Sequence, residues 1–395
     1  MSEWKKCTIG DLGKIITGKT PRTAISENYG GKVPFLSPSD NMELKYVDKT
    51  NKTLTEQGVD EVKNCLLPAN AVCVSCIGSD LGKVLITTQP TVTNQQINSI
   101  IVNEDNDTNF IYYLMTIVGK HLNFISKTST AVPIINKTTF SNYKISIPLH
   151  SEQKKIAAIL SSLDEKIETN RKINARLEEL AQALFKSWFI DFEPFGGKMP
   201  DDWKDGSIMD MCLKIASGST PSSMNSEYYN GNINWFTTKE LKDNFLLESE
   251  KHISELAHQS SSTKMFPNGT VLMAIYAAPT VGRLGILTSN STFNQAAVGL
   301  YPKEEIGTYF LYQYLRNERN NFNNLAVGAA QQNLSVKFVK EYSCKIPSKE
   351  ALRNYNCIIK PIFLRTYAIL KESSRLATLR DTLLPKLMSG ELIPE

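Results

Sequence analysis

Between residues 151 and 189 the apolar side chains recur alternately four and three positions apart. They run Ile156, Leu160, Leu163, Ile167, then Asn170 and Asn174, then Leu177, Ala181, Leu184 and Trp188. The stretch contains neither Gly nor Pro, so the spacing predicts one unbroken helix whose coiled-coil seam turns polar at its centre. At 1.5 Å per residue, about 38 residues span roughly 57 Å. A helix this polar has a narrow stripe to bury and gains its stability by packing that stripe on a partner. Residues 349–384 supply one. There Ile362, Ile369, Leu376 and Leu383 keep strict seven-residue spacing and fall 199 positions after Leu163, Asn170, Leu177 and Leu184. The expectation is an antiparallel coiled-coil spacer made of two distant segments of one chain. Pro361 lies inside the second segment and is expected to kink or interrupt it.

The same doubling extends to the rest of the chain. With an offset of 200 residues, Gly18, Thr20 and Pro21 fall on Gly218, Thr220 and Pro221, Gly82 on Gly282, and Asn94-Gln95 on Asn294-Gln295. A repeat of this period means one structural unit used twice. Short β-prone runs such as VPFLS, AVCVSCIG, KVLITT and YKISIP, answered by INWFTT, TVLMAIYA and LGILTS, are separated by Gly, Asn, Pro and Ser. A helical patch, FIYYLMTIVGKHLNFI or YFLYQYLRNERNNF, follows in each copy. The fold class expected is α+β, a tandem duplication of a β-rich domain followed by a long helix. The boundaries are 1–150 for the first domain, 151–190 for the central helix, 191–202 for a Pro- and Gly-containing linker, 203–347 for the second domain and 348–395 for the C-terminal helix and tail. The aromatic cluster Phe185, Trp188, Phe189, Phe192 and Phe195 reads as packing at the helix end rather than as a ligand site.

Composition narrows the function classes. No apolar run approaches the length of a membrane span and the N-terminus has no apolar signal core, so a cytoplasmic protein with no membrane partner is expected. An odd total of 7 cysteines argues against a disulfide framework. Cys73 and Cys76 form a CxxC, but they sit in an apolar strand-like run whose copy carries Met273 and Tyr276 instead. Buried packing explains both copies, and no metal site is expected. A net charge of +4 permits a polyanionic partner without demonstrating one.

Two motifs imitate chemistry. Gly13 to Thr20, GKIITGKT, fits the phosphate-loop pattern, in which backbone amides cradle phosphates and the Lys and hydroxyl complete the site. The preceding MSEWKKCTIGDL is no buried strand, Pro21 follows where a helix should begin, and the copy LKIASGST lacks the first Gly and the Lys. A shared Gly-x-Thr-Pro turn explains the match with less. Ser39-Asp40 with Glu43-Leu44-Lys45 faintly imitates nuclease carboxylates; its copy keeps Glu240 and Lys242 but no Asp, so solvated loop charges are expected. There is no Asn-Pro-Pro-Tyr or Asp-Pro-Pro-Tyr stretch of the kind an adenine methyltransferase needs. No catalytic residue is assigned.

EQKKIAAILSSLDEKIETN, KSWFIDFEPF, the Gly-x-Thr-Pro turns, the Asn-Gln dipeptides and the closing LLPKLMSGEL together resemble the specificity subunits of type I restriction-modification systems. The resemblance covers essentially the whole chain. It implies that each domain is a target recognition domain for one half of a split, asymmetric double-stranded DNA sequence. It further implies that the helices set the spacing and dock two adenine-N6 methyltransferase subunits, to which restriction/translocase subunits can be added. S-adenosylmethionine, ATP and Mg would then belong to those partners, and this chain would bind no cofactor. Two other classes stay open on the residues alone: a nucleotide-binding enzyme of the phosphate-loop type, and a protein scaffold without a DNA role.

Positions identical in both copies cannot make two different readouts, so Thr20 and Thr220, like the matching Gly and Asn-Gln positions, belong to the scaffold or to phosphate contact. Lys19 is a phosphate candidate. Polar loop positions that differ suit base reading. In the first domain these are Ser39, Asn41, Lys45, Ser79, Asp80, Lys83 and Lys137. In the second they are Lys239, Lys242, Arg283, Gln331, Gln332, Asn333 and Lys337.

Overall fold

The computed structural model describes residues 4–47, 49–78, 80–126, 134–276, 281–327 and 333–394. They form two compact units. One comprises residues 1–168 with 375–395, the other residues 169–374. Each unit therefore combines a globular domain with the first part of the long helix that follows it and the last part of the other long helix.

In the first unit a five-stranded sheet runs in the order Gly13–Thr17, Ile97–Val102, Val72–Ser75, Val84–Thr87, Tyr46–Val47. Its first four strands pair antiparallel and Tyr46–Val47 joins parallel to Val84–Thr87. A second, four-stranded sheet and a two-stranded ribbon of Lys5–Thr8 with Lys144–Ile147 complete it. Strand alternation sends Val72, Val74 and Cys76 to one core, against helix Thr108–Ser126, and Ala71 and Cys73 to another between the sheets. This is why the CxxC pair does not converge: its two thiols belong to opposite faces of one sheet. Burial pushes them up to about 12 for Cys73 and about 11 for Cys76, which disfavours the thiolate that a metal or redox role requires.

The second unit repeats the plan. Its five-stranded sheet runs Cys212–Ser217, Ala297–Pro302, Val271–Ala274, Leu284–Leu287, Asn244–Leu246, again with the last strand parallel to its neighbour. The ribbon Lys204–Ser207 with Ser343–Ile346 matches that of the first unit, and a three-stranded sheet stands where the first unit has four strands. The helical patch differs. It is one helix, Thr108–Ser126, in the first unit and two, Thr308–Asn317 and Arg319–Val327, in the second.

The long helices are His150–Phe189 and Lys349–Met388. The second is continuous through Pro361, where an interruption was expected. Pro361 and Cys357, whose carbonyl loses its partner, are both on the exposed side, so water can replace the missing hydrogen bond while the buried stripe holds the helix. In the first unit Ile156 and Leu160 share a core with Leu384 and Leu387, and Arg380 Nη1 donates to Asp164 Oδ1 at 2.8 Å. Burying a leucine of this kind stabilises the unit by about 2 kcal/mol. In the second, Asn170 Nδ2 donates to Glu372 Oε2 at 2.9 Å, and Phe189 lies 4.8 Å from Tyr355. Within each unit the partners run in opposite directions. The seam positions Leu163, Ile167, Leu177, Leu184, Ile362, Leu376 and Leu383 are half-buried, and Asn170 and Ile369 are buried. The aromatic cluster packs into the core of the second unit, with Phe189 4.9 Å from Phe310 and 5.7 Å from Trp203.

Candidate nucleic-acid interface

The phosphate-loop imitation is spent on the fold. Residues Gly13–Thr17 form a strand rather than a loop. The Gly18 amide donates to the Ile97 carbonyl at 3.1 Å and the Lys19 amide to the Thr93 carbonyl at 2.9 Å, so neither is free to cradle phosphate. A Cβ at Gly18 would sit on the carbonyl oxygens of Asn94 and Thr93, and one at Gly218 on those of Phe293 and Asn294. The Thr20 hydroxyl donates to Gln95 Oε1 at 2.7 Å, and Thr220 donates likewise to Gln295. Tyr29 and Tyr229 cap the same turn through the carbonyls of Pro21 and Pro221, at 2.8 and 2.7 Å. The shared Gly-x-Thr-Pro and Asn-Gln positions are thus one tied turn, built twice.

The nuclease imitation also resolves into structure: Glu43 and Lys242 are exposed charges, as expected, but Asp40 and Glu240 are not. Asp40 is buried; its carboxylate accepts the amides of Ser37 at 2.8 Å and Asn51 at 2.6 Å. Glu240 closes a capping box with Thr237 and accepts the Glu250 amide at 2.8 Å. Both carboxylates organise loops, because amides leaving a strand end need acceptors.

The candidate cations divide by what surrounds them. Lys45 is turned inward: its Nζ donates to Ser161 Oγ at 2.9 Å and Tyr113 Oη at 3.2 Å and lies 4.7 Å from the Tyr113 ring centre. Burial pushes its ammonium down to about 8, with Asp164, Glu165 and Asp107 opposing the shift. Tyr113 in turn donates to Asp164 Oδ2 at 2.5 Å, so Lys45, Tyr113, Asp164 and Arg380 form one network of the first unit. Lys83 pairs with Asp80 at 2.9 Å, Lys239 with Glu250, and Lys337 with Glu341 at 3.9 Å. Lys19, Lys137, Lys242 and Arg283 have no side-chain partner among the described residues, and the first three are exposed. Ser39 and Asn41 are exposed in the loop organised by Asp40, where Ser39 Oγ is 2.7 Å from Ser37 Oγ and Asn41 Oδ1 accepts the Glu43 amide. Asn333 is exposed. Ser79, Gln331 and Gln332 lie outside the described residues.

Arg319, which the sequence does not single out, organises the loops around Lys242 and Arg283. Its guanidinium grips Asp243, with Nη1 on Oδ2 at 2.9 Å, and its Nε donates to the Gly282 carbonyl at 2.7 Å. The available signal was the offset itself, which places Arg319 on Gly119 and so marks a large side chain where the first copy has none.

A β-rich domain built twice on one scaffold, with different loop cations in each copy, has the makings of a recognition protein. The profile of the type I restriction modification DNA specificity domain matches residues 1–179 and again 200–371, and the chain belongs to that family. The MjaIX type I restriction enzyme specificity subunit of Methanocaldococcus jannaschii is 29% identical over 407 residues, covering 99% of this chain and 94% of the relative. The EcoR124I/EcoR124II specificity subunit of Escherichia coli is 32% identical over 167 residues, 41% of each chain. A crystal structure of the type I S subunit from M. genitalium superposes over 100% of this chain and 97% of its own, with TM-score 0.61 and 18% identity, which shows the shared fold. The chain is a non-catalytic DNA-recognition subunit of a type I restriction-modification system.

Proposed function

We propose that each unit reads one half of a bipartite, asymmetric DNA target, with the long helices as spacer. The carrying observation is that the scaffold turns are the same in both copies while the surrounding loop chemistry differs. Thr20–Gln95 matches Thr220–Gln295, yet the salt-bridged Lys83 of one corresponds to Arg283 of the other, which has no side-chain partner among the described residues. Equal scaffolds with unequal loops suit two different half-sites.

The chain then acts with two adenine-N6 methyltransferase subunits and with restriction/translocase subunits, and S-adenosylmethionine, ATP and Mg serve those partners. Lys19, Lys137, Lys242 and Arg283 are the first residues to assign to DNA, since no side chain among the described residues compensates their charge. A complex of this kind, acting on chromosomal DNA, would work in the cytoplasm.

The test is a genome-wide map of N6-methyladenine in the host with and without this gene. Loss of one split, non-palindromic methylated motif on deletion is the expected result. An unchanged map, or loss of a palindromic motif, overturns the reading.

A further inference from the structure

Asp243 has φ +58°, a left-handed conformation that is uncommon outside Gly, Asn and Asp. It is held there because its polar atoms are used. Its amide donates to the Leu284 carbonyl at 2.9 Å, its carbonyl accepts the Tyr312 hydroxyl at 2.8 Å, and Oδ1 accepts the Leu284 amide at 2.9 Å. The same carboxylate takes both terminal nitrogens of Arg319. With Arg319 Nε on the Gly282 carbonyl, two side chains bind three segments of the second unit: the loop before Asn244–Leu246, the connection entering Leu284–Leu287, and the start of helix Arg319–Val327.

Arg283 lies between the two pinned residues, Gly282 and Leu284. Lys242 precedes Asp243, and Asp243 is hydrogen-bonded to Leu284 through its amide and its carboxylate, so Lys242 and Arg283 each adjoin one member of that pair. Neither cation has a side-chain partner among the described residues. Two neighbouring uncompensated cations repel each other and gain from an anion between or above them. The first unit does not share the arrangement. There the register that sets Tyr46 against Ile86 as Phe245 is set against Ile286 puts Glu43 in the place of Lys242, Asp80 and Glu43 neutralise Lys83, and a Cβ added at Gly119 would sit on the Gly82 carbonyl, leaving no space for a counterpart of Arg319.

We propose that Asp243 and Arg319 are positioning residues that hold Arg283 and Lys242 against DNA, so that this pair sets specificity at the half-site read by the second unit and at that one only. The proposal rests on the DNA-recognition reading above. Arg319 acts through its two-pronged grip, which a lysine cannot reproduce.

The test replaces the host gene with Asp243→Asn or Arg319→Lys and maps N6-methyladenine, with the deletion strain alongside and immunoblots for abundance. Asn tolerates the positive φ and keeps an acceptor for the Leu284 amide while removing the charge. At wild-type protein levels, one half of the methylated motif should stay sharp while the other admits additional bases, and methylation at the original sites should fall about tenfold, the size of one lost base contact. Arg319→Lys should blur the same half to a smaller degree, and it decides the matter if Asp243→Asn fails to accumulate. A motif that stays sharp in both halves, or blurs equally in both, overturns the proposal. A deletion strain with an unchanged map overturns the DNA-recognition reading itself and the proposal with it.

Discussion

Asn170 donates from Nδ2 to Glu372 Oε2 at 2.9 Å, joining the polar centre of one long helix to the other helix across 202 residues of sequence. A buried Asn in a coiled-coil seam lowers stability relative to an apolar residue and admits fewer alignments of the two helices. Asn170→Leu should therefore leave the urea midpoint of the full chain unchanged or higher, while methyl resonances of Ile369 and Leu376 split into more than one set. A single set of resonances would show that the pair does not choose the register.

Gly18→Ala and Gly218→Ala should each destabilise the chain by on the order of 2 kcal/mol, because the new methyl group meets backbone carbonyls that cannot rotate away. Equilibrium urea denaturation measures the loss. A neutral Gly18→Ala would mean that the turn is looser than its carbonyl packing indicates.

Lys45 gives the first unit a pH signature. Burial lowers its pKa to about 8 from an unfolded value of 10.5, so between these values the unfolded chain holds the proton and the folded one releases it. Stability from this group rises with pH across that window and is lost as pH falls through about 8. The stability difference between wild type and Lys45→Met should shift in favour of wild type from pH 7.5 to 9.5. Comparing the two proteins cancels the tyrosines and carboxylates around the site, Tyr46, Tyr112, Tyr113, Asp164, Glu165 and Asp107, whose own titrations contribute to both. A difference flat with pH would place the Lys45 ammonium in water.

Uncompensated and compensated cations should separate in salt. For a duplex cut from the host genome around a gene-dependent methylation site, Arg283→Ala or Lys242→Ala should reduce the slope of log K against log salt by about 1 if the contact is to phosphate. Lys83→Ala should change it less, because Asp80 at 2.9 Å already neutralises that charge. Fluorescence anisotropy of the full chain across a salt series provides the slopes; an equal drop for all three variants would erase the distinction.

The sequence by itself determined the repeated architecture. A seam such as Leu163, Asn170, Leu177 and Leu184 against Ile362, Ile369, Leu376 and Leu383 is visible because helical burial depends on spacing along the chain, and spacing is written there. Paired Gly18 and Gly218 or Gln95 and Gln295 were equally visible, since a tied turn tolerates few substitutes and so survives in both copies. Tertiary structure alone decided which charges are spent internally. Nothing local distinguishes Lys45 from Lys242, yet one ammonium lies under Tyr113 and Ser161 and the other is exposed. Nor does Asp243 announce Arg319, 76 residues away. The reason is physical: periodicity is a property of neighbours in the chain, whereas the fate of a charge depends on what folding brings beside it and on how much water it leaves there.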